Sequence, residues 1–156
     1  MNSGSIAKYQ TMPLDEICNL PISDIADKDS VLFLWVTCPM MEEGLQVMKA
    51  WGYKYKTKIY WRKIMSLGMG FWYRGQVEEL WLGVKGKVKA FRIQKPNFIQ
   101  SKARKHSQKL EEARQLIEMV DLNPRIELFA REKTPGWTSI GYDISGKDIR
   151  EELRDL

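Results

Sequence analysis

Ser30-Val-Leu-Phe-Leu-Trp-Val-Thr37 is an unbroken apolar run of strand length. A strand without polar alternation is covered on both faces, as in a parallel sheet packed between helices. Met41, Leu45, Met48 and Trp51 follow it at helical spacing, and Gly52 is placed to end that helix. Tyr53 to Trp61 then alternates, with Lys54, Lys56 and Lys58 on one face and Tyr53, Tyr55 and Ile59 on the other. That pattern predicts a half-exposed strand whose wet face is basic.

Further out the signals are shorter. Thr11 and Pro13 precede Leu14, Ile17 and Leu20, the pattern of a short helix with proline in its first turn. Ser66 to Gly75 is rich in glycine and aromatics and reads as a loop, and Val77 to Val84 as a strand. Lys85 to Lys105 has no clear period and contains Pro96, which predicts a long basic loop. Ser107 is placed to cap a helix carrying Leu110, Ala113, Leu116, Ile117 and Val120, ended by Asn123-Pro124. Arg125 to Arg131 and Trp137 to Tyr142 read as strands, and the tail after Gly146 as a charged, frayed helix. Strands and helices alternate at the spacing of βα units, so the expected class is α/β with a mainly parallel sheet. Ligands would then sit at the carboxyl ends of strands, in the loops after Thr37, Trp61 and Arg131.

The 156 residues are the size of one ordinary domain, able to bury about two-thirds of its unfolded surface. No apolar run approaches a membrane span and no leader-like segment opens the chain, so no membrane role is expected. Cys18 and Cys38 are too few for a disulfide scaffold or a four-thiolate zinc site, which makes a reduced intracellular protein the default. His106 is the one histidine, so neither a metal site nor a histidine-based triad is expected.

Charge is segregated. Gly44 to Leu110 holds sixteen Lys and Arg against two acids, whereas the remainder holds nine bases and eighteen acids. Leu80 to Leu110 carries nine bases and no acid. Such a stretch is either a solvated basic face or a surface that meets a polyanion, for which nucleic acid is the leading candidate.

Eight blocks then carry a resemblance. They are Tyr9-Gln-Thr-Met12, Leu14-Asp-Glu-Ile17, Leu32-Phe-Leu-Trp-Val-Thr37, Ala50-Trp-Gly-Tyr53, Gly83-Val-Lys-Gly86, His106-Ser-Gln-Lys109, Ile126-Glu-Leu-Phe-Ala-Arg131, and Pro135-Gly-Trp137 followed by Gly141. In this order the chain resembles the adenine-N6 methyltransferases typified by the catalytic subunit of messenger-RNA adenosine methyltransferase, with bacterial and phage DNA-adenine relatives. The resemblance implies a Rossmann-like sheet with permuted motif order. It implies S-adenosyl-L-methionine as cofactor and methyl transfer to the exocyclic amine of adenine.

Carried over residue by residue, the resemblance places Lys109 at the cofactor's methionine carboxylate, a role suited to a point charge. Glu127 would lie close to the adenosine part and Arg131 near the ribose. Lys133 and Thr134 occupy a further cofactor-contacting stretch with changed residue types. Asp143 would accept from ribose hydroxyls, and Tyr142 stands where the family often has asparagine. Tyr9 matches a tyrosine near the target base. Read without the family, Glu127 is a polar position on an alternating strand, Lys109 a helix-surface lysine, Arg131 a strand-end charge and Tyr9 an apolar anchor. Trp35 and Trp51 read as core. The phosphate-gripping set expected from the basic loop is Lys85, Lys87, Lys89, Arg92, Lys95, Lys102, Arg104 and Lys105.

The family's Asp-Pro-Pro-Trp occurs nowhere in the 156 residues. In that motif the acid and a proline carbonyl accept from the adenine amine and localise its lone pair, while the aromatic residue stacks on the base. Losing such preorganised acceptors is expected to cost ~10² or more in rate. The sheet would also lack its first, catalytic-motif strand and show an open pairing edge there. The expected organisation is one domain, 1–156, in which 1–12 is the remnant of a substrate loop, 85–105 the basic loop and 146–156 the charged tail. The expected partners are nucleic acid, DNA before RNA, and a related methyltransferase subunit in a homo- or heterodimer. A compact chain of this kind is expected in the cytoplasm of a bacterial or phage-infected cell. The alternative is an inactive relative that binds nucleic acid or supports an active partner.

Overall fold

The computed structural model describes residues 12–64, 70, 72–102 and 111–156. In chain order the elements are α1 (Leu14–Cys18), α2 (Ile22–Ile25), β1 (Ser30–Thr37), a 3-10 turn (Cys38–Met40), α3 (Met41–Ala50), β2 (Lys54–Ile64), β3 (Val77–Lys85), β4 (Phe98–Lys102), α4 (Glu111–Glu118), β5 (Ile126–Leu128), β6 (Thr138–Ile140), α5 (Tyr142–Ser145) and α6 (Ile149–Arg154). The described residues form two compact units, one within 26–120 and one from 12–25 with 121–156.

In the larger unit β3 runs through a four-stranded sheet of order β1-β3-β2-β4. Its neighbours Leu80 and Trp81 are 1% and 2% exposed, and successive strand residues point to opposite faces. Both faces must therefore be covered. On one, Leu80 packs with Trp61, Ile99 and Ala113, and with Leu116 and Ile117 of α4. On the other lies α3, which comes close because Gly44 has no side chain: a Cβ there would stand 3.0 Å from both Val36 methyls and 3.3 Å from the Trp81 ring. Each large apolar side chain buried in this way contributes about 1.5–3 kcal/mol.

The sheet is mixed, not mainly parallel. β3 runs antiparallel to β1 and β2, and β4 parallel to β2. β1 is half-buried along most of its length with Val36 buried, and its apolar run carries no information on the direction of its neighbour. Among the described residues β1 is an outer strand with β3 as its sheet partner.

Two further expectations change. The register of β2 shifts between Tyr55 and Thr57, so Lys56 is skipped and the alternation reverses parity. The three lysines therefore do not share one face: Lys58 lies opposite Trp81, on the same side as Tyr55, and its Nζ stands 5.8 Å from the Tyr55 ring. Lys58 donates to Glu79 Oε1 at 2.8 Å, as does Trp81 Nε1. Burial alone would push the Glu79 carboxyl up, but these two bonds hold it below its ordinary range, and the bond to Glu79 raises Lys58. The second change is β4, which turns part of the basic loop into an edge strand with only Ile99 buried. Its two inward positions are Ile99 and Ser101, and because one of them is polar the sequence shows no apolar alternation.

In the smaller unit β5 and β6 pair in parallel, three residues each, shorter than expected. The tail is not frayed. Ile149 and Leu153 of α6 are 6% and 3% exposed. Asp148 caps α6 by accepting from the Arg150 amide at 2.8 Å, and Arg150 in turn binds Asp148 and Glu16.

The Arg150 side chain and amide hold the Asp148 carboxyl down at about 2, below its ordinary 3.8. A depressed acid contributes stability that is present above its unfolded pKa and lost as pH falls through the folded one. Asp148 is 37% exposed, so solvent screening limits the effect. Asp148→Ala should cost about 1 kcal/mol at neutral pH. In urea unfolding, the gap between variant and wild type should close as the buffer is taken from about pH 4 to about pH 2.

Candidate functional site

The parallel pair β5–β6 sends its two carboxyl ends to the same side, the end at which α/β sheets collect ligands. β5 stops at Phe129, whose φ of 60° turns the chain out of extended geometry. Beyond it the Ala130 amide donates to the Ile140 carbonyl at 2.9 Å. Gly141 follows Ile140 directly, and a Cβ at Gly141 would run into the Ala130 carbonyl oxygen. The close approach of Ala130 and Gly141 thus requires glycine, and the side chains that leave the two strand ends are Arg131 and Asp143.

The Arg131 guanidinium and the Asp143 carboxylate meet at 3.7 Å, each about a quarter exposed. Tyr142, 51% exposed, opens α5 beside them. Lys133 and Thr134 line an open cavity of about 540 Å³ with Pro135, Gly136, Trp137 and Ser139. Its wall is a turn: the Trp137 amide donates to the Thr134 carbonyl at 3.1 Å, and the Thr134 amide to Ser139 Oγ at 3.3 Å. Gly136 takes a φ of +82° that a side chain would resist. Glu127 sits opposite Ser139 in the β5–β6 register, which ties it to the same wall. Arg125 lies over the Trp137 ring at 5.9 Å.

Six expected cofactor residues therefore fall on one small frame, in two groupings. Arg131 joins Asp143 with Tyr142 alongside, and Lys133 joins Thr134 with Glu127 across the strand pair. Sequence reasoning missed Ser139. The period-two pattern that buries Ile140 was the available signal, since it turns Ser139 to the opposite face. Tyr9, Lys109, Arg104 and Lys105 lie outside the described residues.

The remaining basic residues divide by environment. Lys85 is the last residue of β3, half-buried, with its Nζ 5.5 Å from the Tyr53 ring. Gly86 turns at a φ of +71°, and the Lys87 amide donates to Asp29 Oδ1 at 2.7 Å. Lys87, Lys89, Arg92 and Lys95 are exposed beyond that anchor, and Lys102 is exposed on β4. Among the described residues no cluster of His, Cys, Asp or Glu is arranged to hold a metal ion, and no helix is long and apolar enough to cross a membrane.

The mixed α/β architecture is consistent with a Rossmann-like methyltransferase fold. The MT-A70 family model matches residues 1–143, and the chain belongs to that family, whose members take their methyl group from S-adenosylmethionine. It is 32% identical over 157 residues to the N(6)-adenosine-methyltransferase MT-A70-like protein of Arabidopsis thaliana, covering 94% of this chain and 23% of the relative. It is 33% identical over 149 residues to the N(6)-adenosine-methyltransferase catalytic subunit METTL3 of Homo sapiens, covering 88% and 26%. It is 29% identical over 154 residues to the type II methyltransferase M.MunI of a Mycoplasma species, covering 94% and 64%. The chain spans about a quarter of the length of the plant and animal relatives. Such a spread of organisms does not single out a bacterial or phage source.

Because the Gly141 position has no room for a methyl group, Gly141→Ala should break the Ala130–Ile140 contact. It should cost about 2 kcal/mol or more by the overpacking scale, read as a lowered thermal midpoint.

Proposed function

We propose that this chain supplies the cofactor pocket and a nucleic-acid grip for S-adenosylmethionine-dependent methyl transfer to the N6 amine of adenine. The observation that carries the reading is the Arg131–Asp143 pair at the carboxyl ends of β5 and β6, on the frame that also holds Lys133 and Thr134. The cavity volume of about 540 Å³ lies in the range of small-ligand sites.

The donor set suits the cofactor. Asp143 accepts from ribose hydroxyls while Arg131, 3.7 Å away, orients its carboxylate. Thr134 and Lys133 offer a hydroxyl and a cation to polar groups along the cavity wall, and Glu127 supports the wall through its place opposite Ser139. Lys109 would neutralise the methionine carboxylate and Tyr9 would stand near the target base. When bound, the cofactor supplies a sulfonium methyl group to the amine nitrogen. The chain's own part is to hold the reactants in line, an effect worth several kcal/mol. Lys87, Lys89, Arg92 and Lys95 neutralise backbone phosphates without reading sequence.

DNA is the proposed substrate ahead of RNA. Relatives of both kinds are similar to this chain, a type II methyltransferase from Mycoplasma and a human adenosine methyltransferase subunit, so both substrates belong in the test. The chain is proposed to pair with a related methyltransferase subunit. A second reading stands beside it, an inactive relative that binds and supports an active partner. Incubation with methyl-labelled cofactor and adenine-containing DNA or RNA separates the two. Labelled N6-methyladenine supports the first, and cofactor binding without transfer supports the second.

By calorimetry, Asp143→Ala should weaken S-adenosylmethionine binding about tenfold, the loss of one charge-assisted hydrogen bond. Lys87→Glu, Lys89→Glu and Lys95→Glu together should leave that affinity unchanged, weaken DNA binding and flatten its dependence on salt by about three phosphate contacts. Collapse of cofactor binding in the triple variant would refute this division of labour.

A further inference from the structure

The side of the four-stranded sheet that carries α3 is covered only in part. The helix lies over β1 and β3, where Val36, Trp81 and Gly83 meet Gly44 and Met48. Among the described residues the same side of β2 and β4 stays open. Register puts Tyr60 beside Phe98, Arg62 beside Gln100 and Ile64 beside Lys102. Tyr55 and Tyr60 are each 36% exposed and Phe98 is 48% exposed. The bulge at Lys56 is what brings Tyr55 onto this face, since without it Tyr55 and Lys58 would point to opposite sides. Lys58 stands between the two tyrosines, 5.8 Å and 5.7 Å from their rings, and its ammonium is tied to Glu79.

We propose that this face is a stacking platform for a single-stranded polynucleotide, with Tyr60, Phe98 and Tyr55 taking unstacked bases and Arg62 and Lys102 meeting the phosphates between them. Two observations choose the occupant. The aromatics stand on the neighbouring strands β2 and β4, spaced by strand geometry, which is the arrangement on which splayed bases stack. The charge around them is complementary to a polyanion: Arg62 and Lys102 are exposed, and the acid on this face, Glu79, is already engaged by Lys58 and Trp81. A protein surface would meet the same aromatics but gain nothing from the unbalanced positive charge.

The inference rests on the nucleic-acid reading above and adds a surface distinct from the loop lysines. Aromatic stacking is neutral, so its loss lowers affinity without changing the number of neutralised phosphates.

The test is fluorescence anisotropy of the full chain with end-labelled 12-nucleotide single strands, one of DNA and one of RNA, and with the matching duplex. Tyr60→Ala with Phe98→Ala should weaken single-strand binding tenfold or more and leave the salt slope of log K unchanged. Tyr60→Leu with Phe98→Leu, which keeps apolar bulk in the sheet, should lose the same affinity while circular dichroism stays that of wild type. Tyr60→Trp should restore or tighten binding. Duplex binding should change little, because its bases are not free to stack. Unchanged single-strand affinity in both double variants overturns the proposal. If Lys87→Glu, Lys89→Glu and Lys95→Glu still weaken binding in that case, the nucleic-acid reading survives alone. A shift in sedimentation with oligonucleotide affinity intact also overturns it and makes the face an interface between copies. A wild-type chain that binds neither strand overturns both readings.

Discussion

Two consecutive side chains, Leu80 and Trp81, are buried to within 2% of complete exclusion on opposite sides of β3. That condition organises the larger unit. A strand can bury adjacent residues only if both faces of its sheet are covered, so α3 and α4 must flank it and their own surfaces must fit. Gly44 is the fit on one side, where any Cβ would press on Val36 and Trp81. Ala113 is the fit on the other, 2% exposed against Trp61, Leu80 and Ile99. Trp35 and Trp61 meet edge-on at 6.0 Å beside that cluster, an arrangement that adds quadrupolar attraction to area burial.

The same constraint has a functional side. With the apolar requirement met by β1, β3 and the inner half of β2, the outer half of β2 and all of β4 need bury little. They carry exposed lysines, arginine and aromatics, so the basic character of the middle of the chain appears as a surface. The Lys58–Glu79 pair belongs to this boundary. Its two groups are 22% and 17% exposed, too screened to be a core pair and too enclosed to be a free surface pair. Burial raises the carboxyl, while the bonds from Lys58 and Trp81 lower it further than burial lifts it, and the ionised form prevails.

In the smaller unit the geometry is economical. Three residue pairs of parallel strand, one φ of 60° at Phe129 and one obligatory glycine at Gly141 bring an arginine and an aspartate to one place. Parallel pairing matters here because it sends both chain exits to one side, which an antiparallel pair of this length would not do.

Sequence by itself determined the class of fold, the strand at Ser30–Thr37, the helix that follows it and the family to which the chain belongs. These are properties written in local composition and in the order of short blocks, and each survives whatever the neighbours do. Only the tertiary structure decided the mixed sense of the sheet, since an apolar run carries no information on the direction of its partner. It alone decided that the three lysines of β2 divide between faces, because one skipped residue reverses the parity of everything after it. Phe98–Lys102 became a strand through pairing with β2, a long-range contact that five residues with one buried side chain do not encode. Ser139 joined the candidate site for the same reason: its partner Glu127 is twelve positions away along the chain and directly opposite only once β5 and β6 have met.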